Sequence, residues 1–363
     1  MTKKHTYYKR AIPFFLLFIC FSVFSQEVLT KKIEKTFKMT NNGELYLENK
    51  YGTITINGWE KNNIAIVANI SVTDDKKEKA KDILDRINSN IVESGDFISV
   101  VSEISDRDIG FFARYFNKIN PFDLDKGNVE INYTINLPIN AEVELINSFG
   151  DVILDNWTGK LKATIEHGNM WISKNLTNAN ISMSFGKLRA KSITYGTVSL
   201  KNGSIDFEDS KDIRLKTSGS YINAKNIFNL DIVSSKDEIL IDHIDNLYGE
   251  ANFSNIEIKS IEKQVNLQLK VTEFRVLKIN SPDPYLNIGQ ESSDISINVN
   301  QLNFKFDATL EEGILRLSKS FSNIKSEVID KNNRVRKVSA TFGKPKSGIF
   351  TFTGKKGIIT LKD

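Results

Sequence analysis

The residues able to do chemistry are few. The 363-residue chain holds three histidines, His5, His167 and His243, and one cysteine, Cys20. No P-loop, no GxSxG and no HExxH occurs, nor does the glycine-rich calcium nonapeptide of toxin-type β-rolls. The best candidate for catalysis is the acidic group Asp206, Glu208, Asp209 and Asp212. On a strand, Asp206 and Glu208 share a face about 7 Å apart, a separation suited to paired carboxylate work on a glycosidic bond. Arg189 and Lys191 stand seventeen residues before that pair, and Asn223 and Lys225 seventeen after it. The acids therefore read as rungs of a charged ladder. A third feature is aromatic: Phe111, Phe112, Tyr115, Phe116 and Phe122 cluster in one short segment. They either cap the end of a repeat fold or form an interaction patch for a partner, a glycan or a membrane surface.

What positions these residues is a repeat. With Gly150 as position zero, apolar residues follow two and four places later, at Val152 and Leu154. The pattern recurs from residues 168, 186, 203, 220, 237, 254 and 272, in steps of 17 or 18. Its pairs include Met170 with Ile172, Ile205 with Phe207, Ile222 with Ala224, Ile239 with Ile241 and Ile256 with Ile258. A second column stands seven places after zero, at Trp157, Ile193, Ile227, Ile244, Ile261 and Ile279, with lapses at Asn175 and Ser210. Spacing of two puts a pair on one face of a strand. A period near 17 is too short for a helix–turn–helix repeat and suits one coil of a β-solenoid, whose coils bury their apolar residues only by stacking. Position five reads Asp155, Ser173, Lys191, Glu208, Lys225, Asp242, Lys259, alternating in sign from Lys191 onward. Stacked coils would set opposite charges side by side and so hold the register. In that arrangement His167 and His243 lie four coils apart, roughly 20 Å at the strand spacing, and share neither a metal nor a triad. His167 precedes Gly168 as Phe149 and Phe185 precede Gly150 and Gly186, so it reads as a variant of a packing slot.

Tyr51-Gly52, followed by Ile54, Ile56 and Trp59, repeats the offsets of Gly150, Val152, Leu154 and Trp157. The expected organisation is a signal peptide at 1–25, first coils at 26–73, an insertion at 74–128 and coils at 129–363. Within the insertion, Asp75 to Asn90 shows helical spacing through Ala80, Ile83, Leu84, Ile87 and Ile91, with Asp74 as N-cap. Pairs at Ile295 with Ile297 and Leu315 with Leu317 resume the repeat beyond two prolines, and strands around Phe350 and Ile358 are expected to close the far end.

Lys3, Lys4, Lys9 and Arg10 precede an apolar run from Ala11 to Phe24, with Val23 and Ser25 placed for cleavage. The run is shorter than the ~20 residues of a spanning helix. Removing this segment takes four of the 49 basic residues and none of the 45 acidic ones, leaving a formal charge of zero. No basic excess remains for nucleic acid. The processed chain would also lack cysteine, hence disulfides and thiolate metal sites.

Two blocks carry a family resemblance: Phe37 and Gly43-Glu44-Leu45 through Tyr51-Gly52-Thr53-Ile54-Thr55-Ile56 to Trp59, and Tyr133-Thr134-Ile135-Asn136-Leu137-Pro138 through Phe149-Gly150-Asp151-Val152. With the glycine-initiated repeats they resemble the bacterial putative-adhesin family of β-strand-repeat domains, a family of unknown function, over nearly the whole processed chain. The resemblance implies an exported, all-β, parallel β-solenoid with coils of about 17–20 residues and an adhesive or envelope role. It implies no catalytic, cofactor-binding or metal residues. The expectation is a non-enzymatic scaffold or adhesin-like protein in the periplasm, on the outer-membrane surface or outside the cell. A cell-surface glycan or an envelope protein is the expected class of partner, with no cofactor and no nucleic acid. The alternatives are a polysaccharide-degrading β-helix using outer-face carboxylates, and a periplasmic structural or envelope-stress component.

Overall fold

The computed structural model describes residues 27–105 and 129–363. The expected signal segment and the cluster Phe111, Phe112, Tyr115, Phe116 and Phe122 lie outside them. The described chain is all-β apart from one helix. In chain order, β1 (Glu27–Lys38), β2 (Glu44–Tyr51), β3 (Ile54–Trp59) and β4 (Asn63–Asp74) precede α1 (Lys77–Arg86). β5 (Ile87–Ser94), β6 (Phe97–Ile104), β7 (Val129–Pro138), β8 (Glu142–Phe149), β9 (Val152–Asp155) and β10 (Lys160–Glu166) follow. Six long strands come next: β11 (Met170–Ser184), β12 (Lys187–Lys201), β13 (Ser204–Ser218), β14 (Tyr221–Ser235), β15 (Glu238–Asn252) and β16 (Asn255–Lys270). The remainder is β17 (Glu273–Val276), β18 (Tyr285–Glu291), β19 (Asp294–Asn298), β20 (Phe304–Glu311), β21 (Ile314–Leu317), β22 (Phe321–Asp330), β23 (Val335–Phe342), β24 (Ile349–Lys355) and β25 (Ile358–Lys362). They belong to a large mixed sheet. Two compact units are distinguished. One takes Ile33–Ala68, Ser89–Glu103 and Ile131–Asp363, and the other the described residues outside those ranges. The repeat lies in the first of these.

Within it, the long strands pair in parallel, each with the next along the chain. Ile205, Ile222, Ile239 and Ile256 are successive register partners, all with 1% or less of their surface exposed. Each such side chain contributes about 1.5–3 kcal/mol by leaving water. Sizes complement one another along the column: Phe207 pairs with Ala190 on one side and Ala224 on the other, and all three are buried. A repeat of 18 rather than 17 residues is absorbed by a bulge. Between Ile172 and Asn175 the register shifts so that Leu176, not Asn175, pairs with Ile193 and is buried. The lapse read at Asn175 is therefore a one-residue slip, and the column is apolar there.

Position zero is occupied in two ways. In the earlier coils it is glycine because backbones approach too closely for a side chain. A Cβ on Gly168 would lie 2.0 Å from the Gly150 carbonyl oxygen, and one on Gly186 1.9 Å from that of Gly168. In the later coils it becomes Ser220, Asp237, Ser254, Thr272 and Ser293, all buried. Here the backbone N–H of each coil donates to the side-chain oxygen of the next: Ser220 to Asp237 at 2.7 Å, Asp237 to Ser254 at 3.2 Å, Thr272 to Ser293 at 3.1 Å. The Asp237 carboxylate also accepts from the hydroxyls of Thr217 and Ser234, each at 2.7 Å, and from the Ser235 N–H at 3.0 Å. Four donors thus meet a carboxylate that burial would otherwise penalise.

The C-terminal part departs from the expected order. β24 pairs in parallel with both β18 and β20, and β25 with both β19 and β21. The last strands therefore do not close the far end. They fill a layer between two coils that precede them in sequence. β23 then pairs antiparallel with β20, and β22 antiparallel with β23, so the pairing is not parallel throughout. Phe304, Phe306, Phe350 and Phe352 are fully buried in this part, with Phe304 and Phe350 stacked at 3.8 Å between ring centroids. At the other end, β2 lies between β6 and β8, and β3 between β7 and β9. Tyr51 is in register with Phe149, and Ile54 with Val152, as the shared motif implies.

The helix is shorter than its periodicity suggests. α1 ends at Arg86, and Ile87 begins a strand. Ile87, Asn88, Ser89, Asn90 and Ile91 are β-branched or short polar residues, all weak helix formers. The helix has no side-chain cap; Asp74 accepts instead from the Lys76 N–H at 3.0 Å, outside the first turn.

Candidate functional site

The acidic group faces outward along β13, where the burial pattern changes face at Glu208 and Asp209. Every member is engaged by a neighbouring coil. Asp206 lies 2.7 Å from the Lys187 ammonium and 3.8 Å from Arg189, and accepts from the Asn223 amide at 3.3 Å. Burial pushes its carboxyl up, but the hydrogen bonds of Lys187 and Asn223 and the charge of Lys187 and Arg189 outweigh that and hold it below its ordinary value. Glu208 pairs with Lys225 at 3.2 Å, Asp209 accepts from Asn226 at 2.8 Å, and Asp212 accepts from Asn229. The Asp242–Lys259 pair at 2.7 Å continues the column at position five. These are surface contacts of up to about 1 kcal/mol each. Asp206 and Glu208, the two that share a face, are each tied to a cation of an adjoining strand.

Beside this column runs a groove of about 500 Å³, within the range of small-ligand sites. One wall is the column Ser192, Asp209, Asn226 and His243, register partners on four successive coils. The other holds Thr194, Lys211, Phe228 and Asp245, with Ser210 and Ile227 between the walls. Ser210 stands where the neighbouring coils carry Ile193 and Ile227, and its hydroxyl donates to the Ile193 carbonyl at 2.7 Å. The break read in the isoleucine column is thus a satisfied buried hydroxyl under the groove. Phe228 is 41% exposed, with the Lys263 ammonium 4.4 Å from its ring centroid and held by Asp245 at 2.9 Å. Lys211 contacts the Tyr195 hydroxyl at 2.9 Å. Among the described residues the His243 imidazole makes no hydrogen bond. No cluster there suits a metal ion.

His167 occupies a third surface. Tyr51, Phe149, His167 and Phe185 form a stack with centroid spacings of 5.7, 5.2 and 4.9 Å. The packing slot read for His167 is real, but it lies on the surface, with Phe149 and Phe185 exposed. The slot is a corner with left-handed backbone: φ is 52° at His167, 56° at Phe185 and 55° at Phe253. His167 and His243 stand on different columns as well as different coils.

Sequence reasoning named Arg189, Asn223 and Lys225 among the partners of the acidic group, but not Lys187, Asn226 or Asn229, and did not find the groove or the buried polar column. The signal for the column was present, since Ser220, Asp237, Ser254, Thr272 and Ser293 are all small oxygen-bearing residues at one repeat position. The proposed aromatic patch lies outside the described residues. Among those residues no helix is long and apolar enough to cross a membrane.

No family model and no curated protein matches the chain. Among solved structures it is similar to a putative cell adhesion protein from Clostridium sporogenes, at 12% identity over 92% of this chain and 99% of that one, with a TM-score of 0.26. It is also similar to a putative adhesin from Parabacteroides merdae, at 8% identity over 72% and 96%, TM-score 0.39. A third is a putative lipid binding protein from Parabacteroides distasonis, at 10% identity over the same shares, TM-score 0.31. Likenesses this loose carry no argument about function.

Proposed function

We propose that this protein is a non-enzymatic, exported β-solenoid of the cell envelope, with an adhesin-like or scaffold role. The observation that carries the reading is the in-register stacking of β11–β16, which turns each outward position into a ladder of side chains repeated at every coil. A wall of this kind binds by many weak contacts. The carboxylates nearest to a catalytic arrangement are committed to Lys187, Asn223, Lys225, Asn226 and Asn229 within the same wall. Export is supported by the basic and apolar N-terminal segment alone.

Two experiments test the reading. Purified protein incubated with envelope and matrix polysaccharides releases no reducing or unsaturated sugars; release that is lost in Asp206→Asn or Glu208→Gln would replace it with a polysaccharide-degrading enzyme. Protease treatment of intact cells cleaves the protein if it is displayed outside. Protection in intact cells with cleavage after outer-membrane permeabilisation would assign it instead to a periplasmic structural role.

A further inference from the structure

We propose that the groove between the Ser192–His243 column and the Thr194–Asp245 column is a binding site for a neutral glycan chain, an inference that rests on the binding role above and names its ligand.

The choice of ligand follows from what the groove lacks and what it offers. A peptide added as an extra strand needs an open sheet edge. The coils that build the groove are hydrogen-bonded to a neighbour on both sides, so recognition there falls to side chains. An anionic ligand needs a surplus of cations. Here Lys211 faces both Asp209 and Asp245, and Lys263 is engaged by Asp245. A metal ion needs convergent ligands, and the described residues hold no such cluster. An uncharged ligand rich in hydroxyl groups remains.

The groove meets such a ligand in kind. A sugar ring presents hydroxyls that both donate and accept, and a face of C–H groups. Asp209 spends one oxygen on the Asn226 amide at 2.8 Å and keeps the other as an acceptor. The Asn226 carbonyl oxygen is a further acceptor, and the His243 imidazole adds ring nitrogens able to hydrogen-bond a hydroxyl. The exposed Phe228 ring supplies an apolar surface against the opposite wall, polarised by the Lys263 ammonium. Four coils span three strand spacings, about 14 Å, so the site takes a short run of sugar units aligned with the direction of stacking.

The test uses the full chain and a panel of neutral tetra- to hexasaccharides (cello-, xylo-, manno- and chito-oligosaccharides), with oligogalacturonate as a charged comparator, measured by calorimetric titration and saturation-transfer NMR. At least one neutral oligosaccharide binds saturably. Phe228→Ala, Asp209→Ala and His243→Ala each weaken that binding about tenfold, equivalent to about 1.4 kcal/mol. Tyr221→Ala, on a different face, leaves it unchanged, and the thermal unfolding of all four variants matches the parent. Absence of saturable binding across the neutral panel, retention of affinity when Phe228→Ala, Asp209→Ala and His243→Ala are combined in one chain, or tighter binding of oligogalacturonate overturns the proposal. Binding accompanied by shortening of the oligosaccharide upholds the ligand class and overturns the non-enzymatic reading. A surface-displayed protein that binds no panel member overturns the groove assignment alone.

Discussion

β11–β16 and β18–β25 are built from the same kind of strand, with paired apolar residues two apart, yet they assemble it differently. In the first region each strand lies beside the one that follows it in the chain. In the second, β24 and β25 occupy a layer between β18–β19 and β20–β21, and an antiparallel pair is added beyond. The first region adds its core one strand at a time, each beside the last. The second waits for the C-terminal segment, because two of its layers share β24 and β25 as a partner. Periodicity fixes what one coil buries; it does not fix which coil lies next to it.

The largest expected effect separates the regions outright. Truncation after Gly348 removes Phe350, Phe352, Ile359 and Leu361, all at 1% exposure or less, and strips four strands of a ladder partner. Residues 285–342 then lose amide protection in hydrogen exchange while β12–β15 keep theirs. Equal loss in both regions would mean that they fold as one cooperative block.

Within the regular region, the two occupants of position zero predict different sensitivities. Gly186→Val drives a Cβ into the Gly168 carbonyl at 1.9 Å, where both partners are backbone and neither yields easily. The loss should exceed about 4 kcal/mol or prevent folding, read from urea unfolding. Asp237→Ala leaves the donors from Thr217, Ser220, Ser234 and Ser235 without their acceptor, costing about 3 kcal/mol. Asp237→Asn keeps one acceptor oxygen and should fall between the alanine variant and the parent. An alanine variant as stable as the parent would show that the later coils do not depend on this column.

The smallest effect is electrostatic. The Asp206 carboxyl titrates below its ordinary value in the folded protein, so its contribution is present above the unfolded pKa of about 3.9 and is lost as pH falls through the lower folded value. Asp206→Asn should therefore narrow its stability gap from the parent below about pH 4. A gap that widens on acidification would reverse the assigned direction.

The regular region was legible in the sequence because one residue type recurs at one offset: Ile222, Ile239 and Ile256 announce their own alignment. Ala190, Phe207 and Ala224 show the limit of that logic, since their hydrophobicity is readable but their size complementarity appears only once they are neighbours. Asn175 misled because a bulge moves Leu176 into its slot, and a fixed count along the chain does not see a bulge. The insertion of β24 was not legible at all. Phe350 and Phe352 carry the same spacing as every other coil, and a spacing contains no address. Of the groove, Asp209 was singled out for its charge, while Phe228 and His243 became its companions only through strand alignment.

The most direct measurement is disulfide trapping in a background with the single native cysteine removed by Cys20→Ser. Thr351 is the register partner of both Asn287 and Asp307, so the strands carrying Asn287 and Asp307 stand two spacings apart, beyond the ~7 Å Cα limit of a disulfide. Asn287→Cys with Thr351→Cys should oxidise to an intramolecular bond, as should Arg214→Cys with Asp231→Cys, register partners on consecutive coils. Asn287→Cys with Asp307→Cys should stay reduced. A bond in that last pair, or none in the first two, would contradict this arrangement of coils.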